Sequence, residues 1–251
     1  MLGAGTAGPH PNRSPSGHLL QSEKMTGPVL VDMGAGTLWR LARAGVSWES
    51  LAAIFITHTH LDHCLDLQSL FFASRGGHGR TEPLPIYLSG AARDFFETLA
   101  APLGKWFEPR GFDVQWHTVS PGRLRVAGLD VEAREVAHHH TSLGWRFGSD
   151  EGWSVAYSGD SDYCEGLVAL CEGASLAVLE CSTPDEEKYP GHMTPRDVAR
   201  VALEARLETV ALVHRYASLD AVDIAARLRT HGFTGEVVEA QDGTRIMLDS
   251  A

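Results

Sequence analysis

The stretch Ile54-Phe-Ile-Thr-His-Thr-His-Leu-Asp-His-Cys-Leu-Asp-Leu67 constrains this chain more than any other. Residues 53–57 are apolar, partly β-branched and bounded by polar residues, which predicts a short buried strand. Leu65, Leu70, Phe71 and Phe72 then follow at spacings that suit a helix. Between them stand His58, His60, Asp62 and His63. In an extended segment side chains alternate, so positions 58, 60 and 62 are expected on one side, and entry into the helix swings His63 round beside Asp62. Three imidazoles and a carboxylate on a strand-to-helix loop are enough to begin two metal sites. Imidazole with carboxylate and no series of thiolates suits zinc, with iron or manganese as alternatives. A mononuclear site needs only three protein ligands and water, so this loop implies a second metal and further ligands from elsewhere.

A chain of 251 residues that is 43% hydrophobic can bury a sizeable core. The formal net charge is −11, and only three of the 21 basic residues are lysine. That balance argues against broad nucleic-acid affinity, which rests on neutralising phosphates. Cys64, Cys164, Cys171 and Cys181 form no Cys-x-x-Cys pair, and no secretory leader or membrane-spanning apolar run is seen. The expectation is free thiols, a cytoplasmic protein and no membrane partner.

Gly3-Ala-Gly5-Thr-Ala-Gly8 has dinucleotide-fingerprint spacing but lacks the preceding strand and following helix that the fingerprint needs. It reads as a glycine loop beside a site. Val29 to Asp32 is predicted as a strand ending in a carboxylate, with Asp32 either supporting a ligand histidine or capping a turn. Thr37 is expected to cap the next helix and Gly45 to stop it. From residue 83 to 138 a strand, a helix and three β-like runs alternate in the manner of α/β layering.

A second histidine cluster, His138-His139-His140, ends one of these runs. One member is the natural missing ligand for His58 and His60. Three adjacent histidines cannot all face one metal, so at least one is structural or solvated. Trp153–Tyr157 is a predicted strand running into Ser158-Gly159-Asp160, where the glycine would let the carboxylate approach a buried centre. Leu176–Glu180 is another buried strand with a carboxylate at its end. His192-Met-Thr194-Pro195-Arg-Asp197 marks a helix start with Thr194 at the N-cap, and Val210–Val213 is a strand delivering His214. The terminal pieces, a helix at 222–228 and strands at 237–238 and 246–248, read as structural.

Set in order, these pieces resemble the metallo-β-lactamase superfamily and, within it, the ribonuclease Z-like branch. The match runs over nearly the whole chain: the glycine-rich start, Leu30-Val-Asp32-Met-Gly-Ala-Gly36, the His-x-His-x-Asp-His core, and His138 with Ser142-Leu-Gly-Trp-Arg146. It continues through Tyr157-Ser-Gly-Asp160, Leu179-Glu180, Gly191-His192-Met-Thr194 and Leu212-Val-His214. The resemblance implies one α/β domain over residues 1–251, an αβ/βα four-layer sandwich of two mixed sheets flanked by helices. It implies two Zn2+ per chain, or Mn2+ or Fe. One would be held by His58, His60 and His138, the other by Asp62, His63 and His214, with Asp160 bridging. His138 takes that role because it stands four residues before Ser142, as the branch's ligand does.

The activity so implied is hydrolysis of a phosphodiester by a hydroxide shared between the metals. Asp62 would orient it, His192 would give a proton to the leaving group, and Glu180 would orient His192. The family's long tRNA-gripping arm is missing, because Phe147 reaches Trp153 through Gly-Ser-Asp-Glu-Gly, and the family's proline after the bridging aspartate is replaced by Ser161-Asp-Tyr-Cys. Both departures argue against tRNA and for a small-molecule ester as partner. The alternatives are a lactonase, arylsulfatase or other ester hydrolase of this fold, an RNA 3′-processing endonuclease, and a non-catalytic metal-binding protein. Leu70-Phe71-Phe72 could serve a homodimer interface or the core.

Overall fold

Strict alternation of side chains along short, doubly buried strands dictates the layering. The computed structural model describes residues 1–76 and 79–248. Five strands form the first sheet in the order β1 (His18–Leu20), β2 (Val29–Val31), β3 (Ala53–Phe55), β4 (Leu84–Leu88) and β5 (Val114–Thr118). The pairs from β2 to β5 are parallel and β1 is antiparallel to β2. The second sheet has seven strands, β6 (Gly122–Val126), β7 (Leu129–Glu135), β8 (Leu143–Ser149), β9 (Ser154–Tyr157), β10 (Leu176–Glu180), β11 (Thr209–Val213) and β12 (Glu236–Glu239), in spatial sequence. It is antiparallel from β6 to β9 and parallel from β9 to β12.

Val29, Val31, Ala53 and Phe55 face Trp145, Phe147, Val178 and Val213 in a core between the two sheets. The intervening residues Leu30, Ile54 and Ile56 face outward, onto α1 (Thr37–Arg43), α3 (Asp66–Ala73) and α4 (Gly90–Leu103). On the far side Ala177, Leu179, Val210 and Leu212 pack on α5 (Glu165–Cys171), α6 (Pro195–Glu204) and α7 (Ile224–Thr230). The result is the four-layer αβ/βα sandwich expected from the sequence. Phe55 sits edge-on to both Trp145 and Phe147 at the centre, with ring centroids 4.9 and 5.0 Å away. Truncating a buried aromatic of this kind to alanine costs about 3–5 kcal/mol, so this contact is a principal tie between the sheets.

Two local expectations are corrected. Thr37 is the first helical residue of α1 and not its cap; Gly36, at φ 83°, precedes it. The free N–H of Leu38 instead donates to the buried Asp66 carboxylate, 2.8 Å away on α3, so capping comes from a neighbouring helix. Residues 246–248 form no strand. Ile246 and Leu248 alternate correctly and pack on the inter-sheet core, while Met247 is exposed. The preceding turn is committed elsewhere, because Asp242 accepts from the N–H groups of Ala4 and Ser14, and the Thr244 carbonyl accepts from the Met1 amine. Of the two roles open to Leu70-Phe71-Phe72, Leu70 and Phe71 take the core, whereas Phe72 is exposed beside Trp106. Among the described residues no helix is long and apolar enough to cross a membrane.

Candidate metal centre

Parallel strands in α/β sheets present their C-terminal ends as a common rim, and here that rim collects the chemistry. Asp32 follows β2, His58 follows β3, Asp160 follows β9, Glu180 ends β10 and His214 follows β11. The antiparallel β7 delivers His138. The glycine-rich N-terminal loop closes the rim: Gly3 pairs with Gly17, and the Ala4 carbonyl accepts the His214 N–H at 2.9 Å. His214 and Asp32 both adopt left-handed backbone, at φ 53° and 61°. Such conformations in non-glycine residues cluster at functional sites, where surrounding contacts hold them.

His58, His60, His138 and Asp160 each bring one nitrogen or oxygen within 4.8 Å of the others, and Asp62, His63 and His214 form a second such group. The extended run stops earlier than the alternation argument expects. His60 is the last extended residue, and Asp62 lies within the short helix α2 (Leu61–Cys64), which places it with His63 and not with His58 and His60. Asp160 stands between the groups. Its Oδ2 is 3.6 Å from His58 Nε2, 3.7 Å from His138 Nε2 and 3.3 Å from His214 Nε2. Its Oδ1 is 3.1 Å from His63 Nε2, though not aligned as a hydrogen bond. Gly159, at φ 57°, makes this approach possible: a Cβ there would meet Thr57 Cβ at 2.8 Å.

Two buried supports hold the cluster. The first is Asp32. His63 Nδ1–H donates to its Oδ2 at 2.7 Å, the Thr57 N–H donates to its Oδ1 at 2.8 Å, and Tyr157 O–H donates to its Oδ2 at 3.0 Å. The Thr57 hydroxyl also donates to Asp32, at 2.9 Å, and lies 3.0 Å from His58 Nδ1, so it can accept that N–H. One carboxylate thereby orients a histidine from each group, directly and through Thr57. The second support is Glu180 with Ser182. Ser182 O–H donates to Glu180 Oε2 at 2.6 Å, and its oxygen lies 3.1 Å from His214 Nδ1. His192 Nδ1 lies 3.1 Å from Glu180 Oε1.

The chemistry of the residues fits divalent cations. With their Nδ1–H groups engaged, His58 and His63 turn Nε2 lone pairs inward, and these two atoms and Asp160 Oδ1 are buried without a hydrogen-bond partner. Buried acceptors left unmatched are costly unless a cation meets them. The local field agrees. Burial opposes charge on His63, yet Asp160 and Asp32 outweigh it and hold its pKa well above the usual range. Burial would raise Asp62, but the His214 contact and nearby His63 hold it down at about 2. Asp160, despite burial, is held well below the carboxylate range by His214 and His63. The carboxylates therefore draw positive charge on the His63 side, whereas burial lowers His58, His60 and His138 and favours their neutral, ligating rings.

His192 is also close enough to Asp160 and His214 to count as a third ligand group with them. Its ring lies parallel to that of His214, 5.4 Å apart. Burial lowers its pKa, but the Glu180 hydrogen bond and charge outweigh burial and raise it, favouring the protonated ring. The other two histidines of the second cluster stand outside. His139 Nδ1 contacts Thr141 Oγ1 at 2.9 Å, and His140 is exposed, its ring tilted against that of His139. Sequence reasoning missed Thr57, Ser182 and Tyr157 as supports. Ser182 had one signal: it lies two positions beyond Glu180, on the same side of an extended segment.

Comparison with known proteins places this arrangement among relatives. A family model described as the beta-lactamase superfamily domain matches residues 28–215. An uncharacterized protein of Mycobacterium tuberculosis is 30% identical over 221 residues, covering 85% of this chain and 79% of the relative. A ribonuclease Z of Nocardia farcinica is 28% identical over 307 aligned positions, covering 99% of this chain and 96% of the relative. Among solved structures, the metallo-beta-lactamase fold protein YhfI from Bacillus subtilis superposes with a TM-score of 0.83 at 27% identity, covering 97% of this chain and 96% of that one.

Proposed function

The chain belongs to the metallo-β-lactamase superfamily, in its ribonuclease Z-like branch, and from that premise we propose that it is a binuclear zinc hydrolase of small phosphodiesters. The observation that carries the reading is Asp160, whose two carboxylate oxygens face the ligand atoms of both groups. His58, His60 and His138 would hold one ion and Asp62, His63 and His214 the other, with Asp160 shared. Zinc suits the imidazole and carboxylate donors. A pair of divalent cations, when bound, supplies an acidified water at neutral pH and neutralises charge on the attacked ester.

The chain's own residues supply orientation and protons. Asp62, ionised at neutral pH, can accept a hydrogen bond from the attacking water and aim it. Glu180 takes the Nδ1–H of His192, which leaves Nε2–H free to meet a substrate. The Glu180 contact raises the pKa of that ring and so favours the protonated form, which a donor to a departing alkoxide must supply. Ser182 accepts the Nδ1–H of His214 and thereby frees the Nε2 lone pair for coordination. A small substrate is favoured because only residues 150–153 link β8 to β9, with no arm to grip a long RNA.

The test separates a proton donor from a ligand. His192→Ala should keep both metals and slow substrates with poor leaving groups on the order of 10²–10⁴-fold, with a much smaller loss for nitrophenolate. His60→Ala should lower metal content and slow every substrate alike. Metal loss in His192→Ala, or equal slowing of good and poor leaving groups, would overturn the donor role.

A further inference from the structure

The segment that carries His192 is pinned at one point by a side chain that no ligand motif includes. Lys188 directs its ammonium at three acceptors: Asp162 Oδ1 at 2.5 Å, Asp197 Oδ2 at 2.6 Å and the main-chain carbonyl of His192 itself at 2.7 Å. An ammonium has three N–H donors, so its capacity is matched. The three acceptors belong to three separate pieces of the rim. Asp162 lies two residues beyond Asp160, and its N–H donates to the Ala137 carbonyl at 2.8 Å, next to His138. Asp197 belongs to the first turn of α6, where its Oδ2 also accepts from the N–H and hydroxyl of Thr194, two residues beyond His192. The same segment has further ties to the cluster: the Gly191 carbonyl accepts from His138 Nδ1 at 2.9 Å, the Met193 N–H donates to Glu180 Oε2 at 3.1 Å, and the Met193 carbonyl accepts from the Ser182 N–H at 2.8 Å.

We propose that Lys188 is a positioning residue for the reaction, holding the main chain of His192 in register with Asp160 and His138. Lys188 never meets the substrate. It acts through the His192 carbonyl, while Glu180 orients the ring from the other side. Two half-exposed salt bridges alone would add little stability, since screened pairs of that kind contribute about 0–1 kcal/mol. Here the same charge also neutralises two carboxylates beside the loop, so removing it leaves Asp162 and Asp197 facing the His192 carbonyl across an unfilled gap. All three are acceptors. The loop must then shift, and a misplacement of about 1 Å in a reacting group costs on the order of 10²-fold in rate.

The inference rests on His192 being the proton donor, and the experiment keeps the two apart. Lys188→Met, with zinc-loaded protein, should bind metal as wild type does and lose on the order of 10–10²-fold in kcat on a poor leaving group. With nitrophenolate the loss should be under about threefold, because that group departs without a proton. Lys188→Arg keeps the charge but has a planar fork that cannot fill three convergent directions, and should fall between. If Lys188→Met does not fold, Asp162→Asn removes one charged arm of the clamp and should show the same leaving-group pattern in weaker form. Equal slowing of both leaving groups, or no slowing of either, would overturn the positioning role. If His192→Ala fails to discriminate leaving groups, the donor reading falls and this inference with it. If His192→Ala discriminates and Lys188→Met does not, only this inference falls.

Discussion

Asp32→Asn is the most informative single change for the metal centre. The variant keeps the shape of the side chain and one carbonyl oxygen, which can still accept the Thr57 N–H now 2.8 Å from Oδ1. What it loses is the charged acceptor for His63 Nδ1–H at 2.7 Å, since the amide nitrogen now turned toward that ring is itself a donor. The ring escapes the clash by moving its proton to Nε2, which is the atom needed for coordination, or by rotating away. A hydrogen bond to a charged group contributes about 1.5–3 kcal/mol, and 1.36 kcal/mol is a decade. Zinc affinity at the Asp62/His63/His214 group should therefore fall on the order of 10–10²-fold, as loss of a partner behind a ligand histidine commonly does. The His58 group, reached only through the Thr57 hydroxyl, should lose less. Competition with a chelating dye, read as two release steps, measures both. Tyr157→Phe, which removes one donor to Asp32 and leaves the acceptor of His63 Nδ1–H in place, is the control and should change affinity only a few-fold. Wild-type affinity at both steps in Asp32→Asn, or an equal loss in the control, would refute the tautomer argument.

Gly34→Ala should disturb the same loop by a steric route. A Cβ at position 34 would lie 2.0 Å from the Asp62 carbonyl oxygen, so main chain must move; a loss of about 1–3 kcal/mol in stability and reduced metal content are expected, read by thermal melting and metal analysis. The thiols should separate by burial. Burial pushes the Cys64 and Cys171 thiols up to about 12 and raises Cys181 well above its ordinary value, so alkylation of native protein at neutral pH should mark Cys164 first, with the others appearing only on unfolding; mass spectrometry of the labelled peptides checks this.

The sequence made the candidate ligands legible because each sits where an apolar run gives way to polar residues, and strand ends are where a doubly buried sheet can expose chemistry. His58, Asp160 and His214 are of this kind. The partners behind them were not legible in the same way. Asp32 reads equally well as a turn residue until β2 and β3 are seen side by side, which brings its carboxylate to Thr57 and His63. Lys188 sits in a polar loop with no periodicity, and its three acceptors are 4 to 26 residues away. The missing strand at 246–248 fails for a related reason: alternation reports which side chains are buried, whereas a strand also needs an edge with free partners, and the turn that leads into this stretch is tied to the N-terminal loop instead.

The two buried supports bear on how such a centre can change over time. Asp32 serves histidines of both groups, and Ser182 with Glu180 serves both a candidate ligand and His192, the proposed proton donor. A substitution that retunes one histidine therefore disturbs the hydrogen bonds of another. Stepwise exchange of ligands, toward a different metal or a different reaction, would pass through forms weakened at two places at once. Variation has an easier path in the loops around the rim, which border the cluster without sharing these supports. Lineages built on this framework should accordingly diversify in what they bind well before they diversify in how they hold metal.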